Sequence, residues 1–151
     1  MTAGRRRVRR SVAVTAPVSE LAPRRLLLDT HVWLWWQAGD ARLGPQTRHL
    51  LQRASEVRFS AASAWEIAIK IAIGKLSLPK GADIAAELAH SGFLALPVEI
   101  EHAENVRSLP PLHRDPFDRL LVAQARVEGL TLVTVDRQLS AYGIAVVDAT
   151  V

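Results

Sequence analysis

Apolar positions along this chain follow two rhythms. Short unbroken apolar runs alternate with stretches in which apolar residues recur every three or four positions. Arg25-Leu-Leu-Leu-Asp29 is a run ending on a carboxylate and reads as a buried parallel strand. A short helix is expected through Val32 to Gln37, closed by Gly39-Asp40. Pro45 suits the first turn of a second helix that turns Leu50 and Leu51 inward. Glu56 to Ser60 reads as a strand. The apolar stretch after it reads as a helix with Ser63 as N-cap, Glu66 at the capping-box spacing and Gly74 at its end.

Beyond a turn over Leu76 to Pro79, a helix is expected at Ile84 to Leu88 and a strand at Phe93 to Leu96. Glu99 to Arg107 reads as a helix opening on an acid, which suits the macrodipole. The segment Leu109 to Pro116 holds Pro110, Pro111 and Pro116 and reads as an irregular loop. Phe117 to Val127 is amphipathic, with Leu120, Leu121 and Val122 inward and Gly129 at its end. Leu130 to Val135 is a strand closing on Asp136, and Ile144 to Val147 a last one. Strands alternating with helices indicate βαβ units and a mostly parallel sheet, here in one domain over residues 25–151. No internal repeat is seen.

Composition narrows the class. The chain has 151 residues, 49% apolar and 23% charged, as expected of a single globular domain. No apolar run approaches the roughly 18–20 residues needed to cross a bilayer, so no membrane role is expected. Cysteine is absent, which removes disulfides and thiolate chemistry and fits a cytoplasmic location.

The formal charge of +4 would suggest nucleic acid if it were spread over the fold. It is not: residues 1–25 hold seven arginines and one acid, leaving twelve bases and fourteen acids, net −2, for the rest. The basic character belongs to a leader over residues 1–24. That leader reads as disordered or as an upstream start; a secretory signal and an Arg-rich organellar presequence are the alternatives.

The candidate chemistry lies in acids. Ligands of an open parallel sheet bind beyond the carboxyl ends of its strands. Asp29 and Asp136 stand at two such ends, Glu66 in the helix after the second strand, and Asp118 at the start of the helix after the proline-rich loop, with Asp115 just before it. Each alone could be a helix cap or first-turn acid. Together, several carboxylates from distant parts of the chain converge on one edge, where repulsion calls for protons or a cation. Oxygen donors without Cys favour Mg²⁺ or Mn²⁺ over Zn²⁺.

Four segments then resemble, in order, the motifs of PIN domains: Leu26-Leu-Leu-Asp-Thr-His-Val-Trp-Leu-Trp-Trp, Ser63-Ala-Trp-Glu-Ile, His113-Arg-Asp-Pro-Phe-Asp-Arg-Leu-Leu-Val-Ala-Gln-Ala, and Thr131-Leu-Val-Thr-Val-Asp. More closely the chain resembles VapC-type toxins. The resemblance implies a three-layer α/β/α domain with a mostly parallel sheet and a Mg²⁺-dependent endoribonuclease, with Mn²⁺ substituting. It also implies a homodimer silenced by a VapB-type antitoxin. It places metal-binding, catalytic acids at Asp29, Glu66, Asp118 and Asp136, with Asp115 as a lower-ranked ligand or supporting acid. Thr30, Ser63 and Thr134 become candidates for orienting carboxylates.

Other residues carry weaker signals. Lys70, Arg114 and Arg119 are the bases nearest the acids and are candidate RNA contacts, with a solvated face as the alternative. Trp33, Trp35, Trp36 and Trp65 read as core or dimer packing before an antitoxin groove or base stacking. His31 and His113 read as structural and non-catalytic. Gly74-Lys75 lacks the spacing of a phosphate loop. A DNA or structure-specific nuclease and a non-catalytic PIN-like RNA-binding module remain the rival readings. A phosphatase with Asp29 as nucleophile is disfavoured, because position 31 holds His31 rather than a second Asp.

Overall fold

The computed structural model describes residues 24–151; apart from Arg24, the leader expected over residues 1–24 lies outside the described residues. Strand β1 (Arg25–Leu28) feeds α1 (Thr30–Ala38), followed by α2 (Pro45–Arg53), β2 (Glu56–Ser60), α3 (Ala61–Ala72) and α4 (Ile84–Ser91). Then come β3 (Leu94–Leu96), α5 (Ile100–Asn105), α6 (Pro116–Glu128), β4 (Thr131–Thr134) and β5 (Val146–Asp148).

The strands form one sheet in the order β3-β2-β1-β4-β5, with every pairing parallel. Both faces are covered, as an all-parallel sheet requires. Along β1 the side chains alternate: Leu26 and Leu28 pack with Val32, Trp33, Leu50, Phe59 and Ile67 on one side. Leu27 packs with Leu121, Val122, Leu132 and Leu139 on the other. This is a three-layer α/β/α arrangement, and each fully buried Leu contributes about 1.5–3 kcal/mol by leaving water. The chain steps outward from β1 to β2 and β3, then returns to the opposite side of β1 for β4. That reversal opens a crevice between the carboxyl ends of β1 and β4.

Several local expectations shift. Ser63 does not cap α3: β2 runs into the helix without a linker, so Ser60, the last strand residue, caps it by accepting from the Ala62 N–H at 3.0 Å. Ser63 lies inside the helix, buried, with no partner for its hydroxyl. The helix expected to reach Arg107 ends at Asn105 and tightens into a 3-10 turn, Val106–Ser108. Its start is fixed by Glu99 with His102, whose Nδ1 accepts from the Glu99 N–H at 2.9 Å. Leu120 is half-buried rather than turned fully inward. The last strand begins at Val146, not Ile144. Among the described residues no helix is long and apolar enough to cross a membrane.

Candidate metal centre

Asp29 leaves β1 at the crevice, and its backbone N–H bonds the Val133 carbonyl at 2.9 Å, tying it to β4. It occupies the N-cap position of α1 but makes no side-chain capping bond there. Its Oδ2 instead accepts from the Thr134 hydroxyl at 2.6 Å, and the carboxylate is only 6% exposed. Thr134 Oγ1 also accepts from the Asp136 N–H at 3.1 Å. One hydroxyl therefore links the two strand-end acids.

Asp136 follows β4 and does serve as a cap, its Oδ1 accepting from the Gln138 N–H at 3.0 Å. Its Oδ2 remains for the crevice, 3.2 Å from His113 Nε2. Asp115 is the N-cap of α6, its Oδ1 accepting from the Phe117 and Asp118 N–H groups at 2.8 and 3.0 Å. Asp118 therefore stands in the first turn of α6 rather than at its cap, with Oδ2 3.5 Å from the same His113 nitrogen. Glu66, on α3, is 7% exposed and pairs with Lys70 Nζ at 3.2 Å, one helical turn on.

His113, read from the sequence as structural, thus joins the acids: one donor atom each from His113, Asp118 and Asp136 lies within 4.8 Å of the others. The signal available was its place two residues before Asp115 in a loop whose prolines limit where it can point. The electrostatics tie in the rest. Burial pushes the Asp118 carboxyl up to about 7, and the charges of Asp29, Asp115 and Glu66 add to the rise while His113 opposes it. Burial likewise raises Asp29 above its ordinary range, against the help of the Thr134 hydroxyl, with Glu66 adding to the rise.

This donor set fits a hard divalent cation. It is rich in carboxylate oxygen, lacks thiolate, and carries acids whose charged forms disfavour one another. Of the three residues expected to orient the carboxylates, Thr134 does so, whereas the buried hydroxyls of Thr30 and Ser63 have no hydrogen-bond partner and orient none.

The candidate nucleic-acid contacts separate. Arg114 is exposed at the mouth of the proline-rich loop. Lys70 is held by Glu66. Arg119 is engaged within the fold: its guanidinium donates to the carbonyls of Pro110 (2.9 Å) and Leu109 (3.3 Å) and to the Tyr142 hydroxyl (3.3 Å). Loop carbonyls with no strand to pair with take up the nearest fork of donors.

The tryptophans divide as well. Trp33 packs on Phe59 with ring centroids 4.9 Å apart, Trp36 on Phe93 at 5.3 Å, and Trp35 lies under Arg42 at 4.9 Å. Trp65 is 63% exposed, its ring edge-on to Phe117 at 5.5 Å. His31 is exposed beside a groove of about 830 Å³ that runs between α1 and the segment joining α3 to α4.

A three-layer α/β/α fold with buried and half-buried acids gathered at the point where its parallel sheet reverses order defines the class: a parallel α/β domain with an acidic strand-end crevice. Residues 26–145 match the PIN domain family, and the chain belongs to that family. It is 32% identical over 125 residues to Ribonuclease VapC22 of Mycobacterium tuberculosis, covering 78% of this chain and 91% of that protein. Among solved structures it resembles VapBC2 from Rickettsia felis bound to a fragment of its promoter DNA. That match has a TM-score of 0.62 and 14% identity and covers 82% of this chain and 97% of the other. DNA-bound VapBC from Salmonella typhimurium matches with a TM-score of 0.57 and 19% identity, covering 83% of this chain and 98% of the other. These structural likenesses bear on the fold.

Proposed function

We propose that the chain is an endoribonuclease dependent on Mg²⁺, with Mn²⁺ able to substitute, and the toxin of a VapBC-type pair. The observation that carries this reading is the position of Asp118, half-buried within electrostatic reach of Asp29, Asp115 and Glu66 and close, with Asp136, to His113. The similarity to a ribonuclease of the VapC type supports it.

Asp29, Glu66, Asp118 and Asp136 are the residues that would hold the cation, with Asp115, whose Oδ1 like that of Asp136 is taken by capping bonds, as a lower-ranked ligand or supporting acid. When bound, the cation supplies positive charge for the phosphorane-like transition state and acidifies water for attack on phosphorus. The chain's own residues do the rest. Thr134 fixes the direction of the Asp29 carboxylate. Lys70 sets Glu66, and exposed Arg114 offers charge to an RNA phosphate. Water adds to phosphorus in line with the ribose 3′-oxygen, the P–O3′ bond breaks with its electron pair on O3′, one proton of the water ends on that oxygen, and the products carry a 5′-phosphate and a 3′-hydroxyl.

Partners follow from the same reading. RNA is the substrate, the protein works as a cytoplasmic homodimer, and a VapB-type antitoxin silences it. The groove beside α1, lined by Leu34, Trp35, Leu76, Leu78 and Ile84, has the apolar character that an amphipathic antitoxin helix needs.

The test is cleavage of labelled RNA and DNA of matched sequence with Mg²⁺ and with EDTA. RNA alone should be cut, only with the metal, and Asp29→Asn should abolish cutting while leaving the circular dichroism spectrum unchanged. Equal cleavage by wild type and Asp29→Asn removes the site assignment. Preferential cutting of DNA replaces the substrate, and RNA binding without turnover in Mg²⁺ replaces the activity with a binding role.

A further inference from the structure

Of the four tryptophans Trp65 alone is exposed, at 63%, and its indole meets one other ring, that of half-buried Phe117, at 5.5 Å and 67°. A single exposed apolar side chain needs no explanation in itself. What sets this one apart is where it stands. Because β2 runs directly into α3, the first turns of that helix lie at the carboxyl edge of the sheet, and Glu66 is the residue after Trp65. Phe117 lies in the first turn of α6, immediately before Asp118. Each ring of the pair is therefore the chain neighbour of an acid proposed to hold the cation. Ala61 and Ala68, one turn away on either side, are exposed and small, so little on its own helix covers the indole. Exposed Ile71 lies about 9 Å farther along the axis, toward the opposite edge of the sheet.

We propose that Trp65, seated against Phe117, is a stacking platform for a nucleobase of the RNA whose phosphodiester lies at the acid crevice. Phosphate and base alternate along a single strand, so a site that fixes one phosphate also has to place the base beside it. Every base offers a flat π face, and an open indole is a protein surface suited to receive one. Phe117 holds the indole in place, since a tilted aromatic pair favours one arrangement of the two rings over others. Charge agrees with a nucleic-acid strand here: exposed Arg114 stands in the loop that leads into α6, three residues before Phe117, within the same stretch of chain that supplies Asp118. Stacking reads no hydrogen-bonding edge, so the platform sets where the strand lies rather than which sequence it carries. The inference rests on the ribonuclease reading and adds a base subsite to it.

The test uses a single-stranded RNA that the full chain cuts, and copies of it in which one nucleotide at a time beside the cut lacks its base. Trp65→Leu keeps apolar bulk and loses the flat face, whereas Trp65→Phe keeps a smaller face. Thermal unfolding controls for folding, and light scattering reports assembly. On intact RNA, Trp65→Leu should raise KM about 5- to 100-fold with kcat held, and Trp65→Phe should retain most of the affinity. In wild type, removing the base at one position beside the cut should cost a similar factor. In Trp65→Leu the same removal should cost nothing further, the coupling expected of two groups in contact. Equal penalties for base removal in wild type and Trp65→Leu, or an unchanged KM in that variant, would overturn the platform. So would a Trp65→Leu protein that falls from dimer to monomer while still penalised at that position, which assigns the residue to contact with a second copy of the chain. A wild type that cuts no RNA overturns the proposed function itself, and the subsite with it, which separates that failure from the others.

Discussion

Replacing Asp118 with Asn should stabilise the metal-free protein at alkaline pH and leave it unchanged in acid. Burial among Asp29, Asp115 and Glu66 raises the Asp118 carboxyl from an ordinary 3.8 to about 7. Between those values the folded protein retains a proton that the unfolded chain has released. Stability from this residue is therefore fully present below about pH 3.8 and is lost as pH rises through about 7. The interval corresponds to about 4 kcal/mol at most. Because the side chain is 24% exposed and water screens its neighbours, about 2–4 kcal/mol is the working range. In a domain of this size that is roughly 6–15 °C in melting temperature.

Asparagine keeps the shape and removes the charge. With EDTA present, thermal unfolding at pH 8 should show Asp118→Asn melting well above wild type, and the two curves should converge at pH 4. Adding Mn²⁺ at pH 8 should reverse the order once the ion reaches about 1,000 times its Kd, where it adds about 4.1 kcal/mol to the protein that binds it. A gain of equal size at both pH values would refute the reasoning, because a packing effect does not titrate. So would wild type melting above the variant at pH 8 without metal.

Other substitutions test the scaffold around the acids. Thr134→Val removes the hydroxyl that donates to Asp29 and accepts from the Asp136 N–H; it should cost about 1–3 kcal/mol in urea unfolding and weaken Mn²⁺ binding in calorimetry. Ser60→Ala should lose about 1 kcal/mol by uncapping α3, whereas Ser63→Ala, whose hydroxyl has no partner, should unfold at the wild-type urea concentration. Gly44 lies against the C-terminal backbone, its N–H bonded to the Ala149 carbonyl at 2.9 Å, and a methyl there would overlap the Val151 carbonyl. Gly44→Ala should therefore cost about 1–3 kcal/mol and expose amides near residues 147–151 in hydrogen exchange.

Much of this was legible in the sequence because the strongest signals there are local and chemical. An apolar triplet ending on Asp29 can hardly be anything but a central strand feeding a crevice, and its observed neighbours on both sides are parallel strands. The misread positions are those where two residues could do one job and only tertiary placement chooses. Ser60 and Ser63 both suit a cap, and the choice depends on β2 meeting α3 without a linker. Arg119, one residue after Asp118, looked like a phosphate contact, yet one step along a helix turns a side chain about 100° away. That turn carries it into the loop carbonyls. His113 reads as structural in the sequence, and its proximity to Asp118 and Asp136 is not legible there because a histidine in a proline-rich loop has no periodicity to reveal its facing.

The strand order explains why the acids come together at all. β1 is central, and only there does the chain reverse direction across the sheet. The residues just beyond β1 and β4 are therefore the pair of strand ends that diverge, and they are Asp29 and the Thr134–Asp136 corner. The first turn of α6 adds Asp118, where the helix dipole favours negative charge. A dipole contribution of 0.3–1 kcal/mol, roughly, is small against the burial and like-charge effects that raise this carboxyl to about 7. The fold thus places Asp118 where local structure welcomes an anion and then surrounds it with others. An arrangement of that kind lowers the stability of the folded state while its charges are uncompensated, and a divalent cation as proposed would supply that compensation.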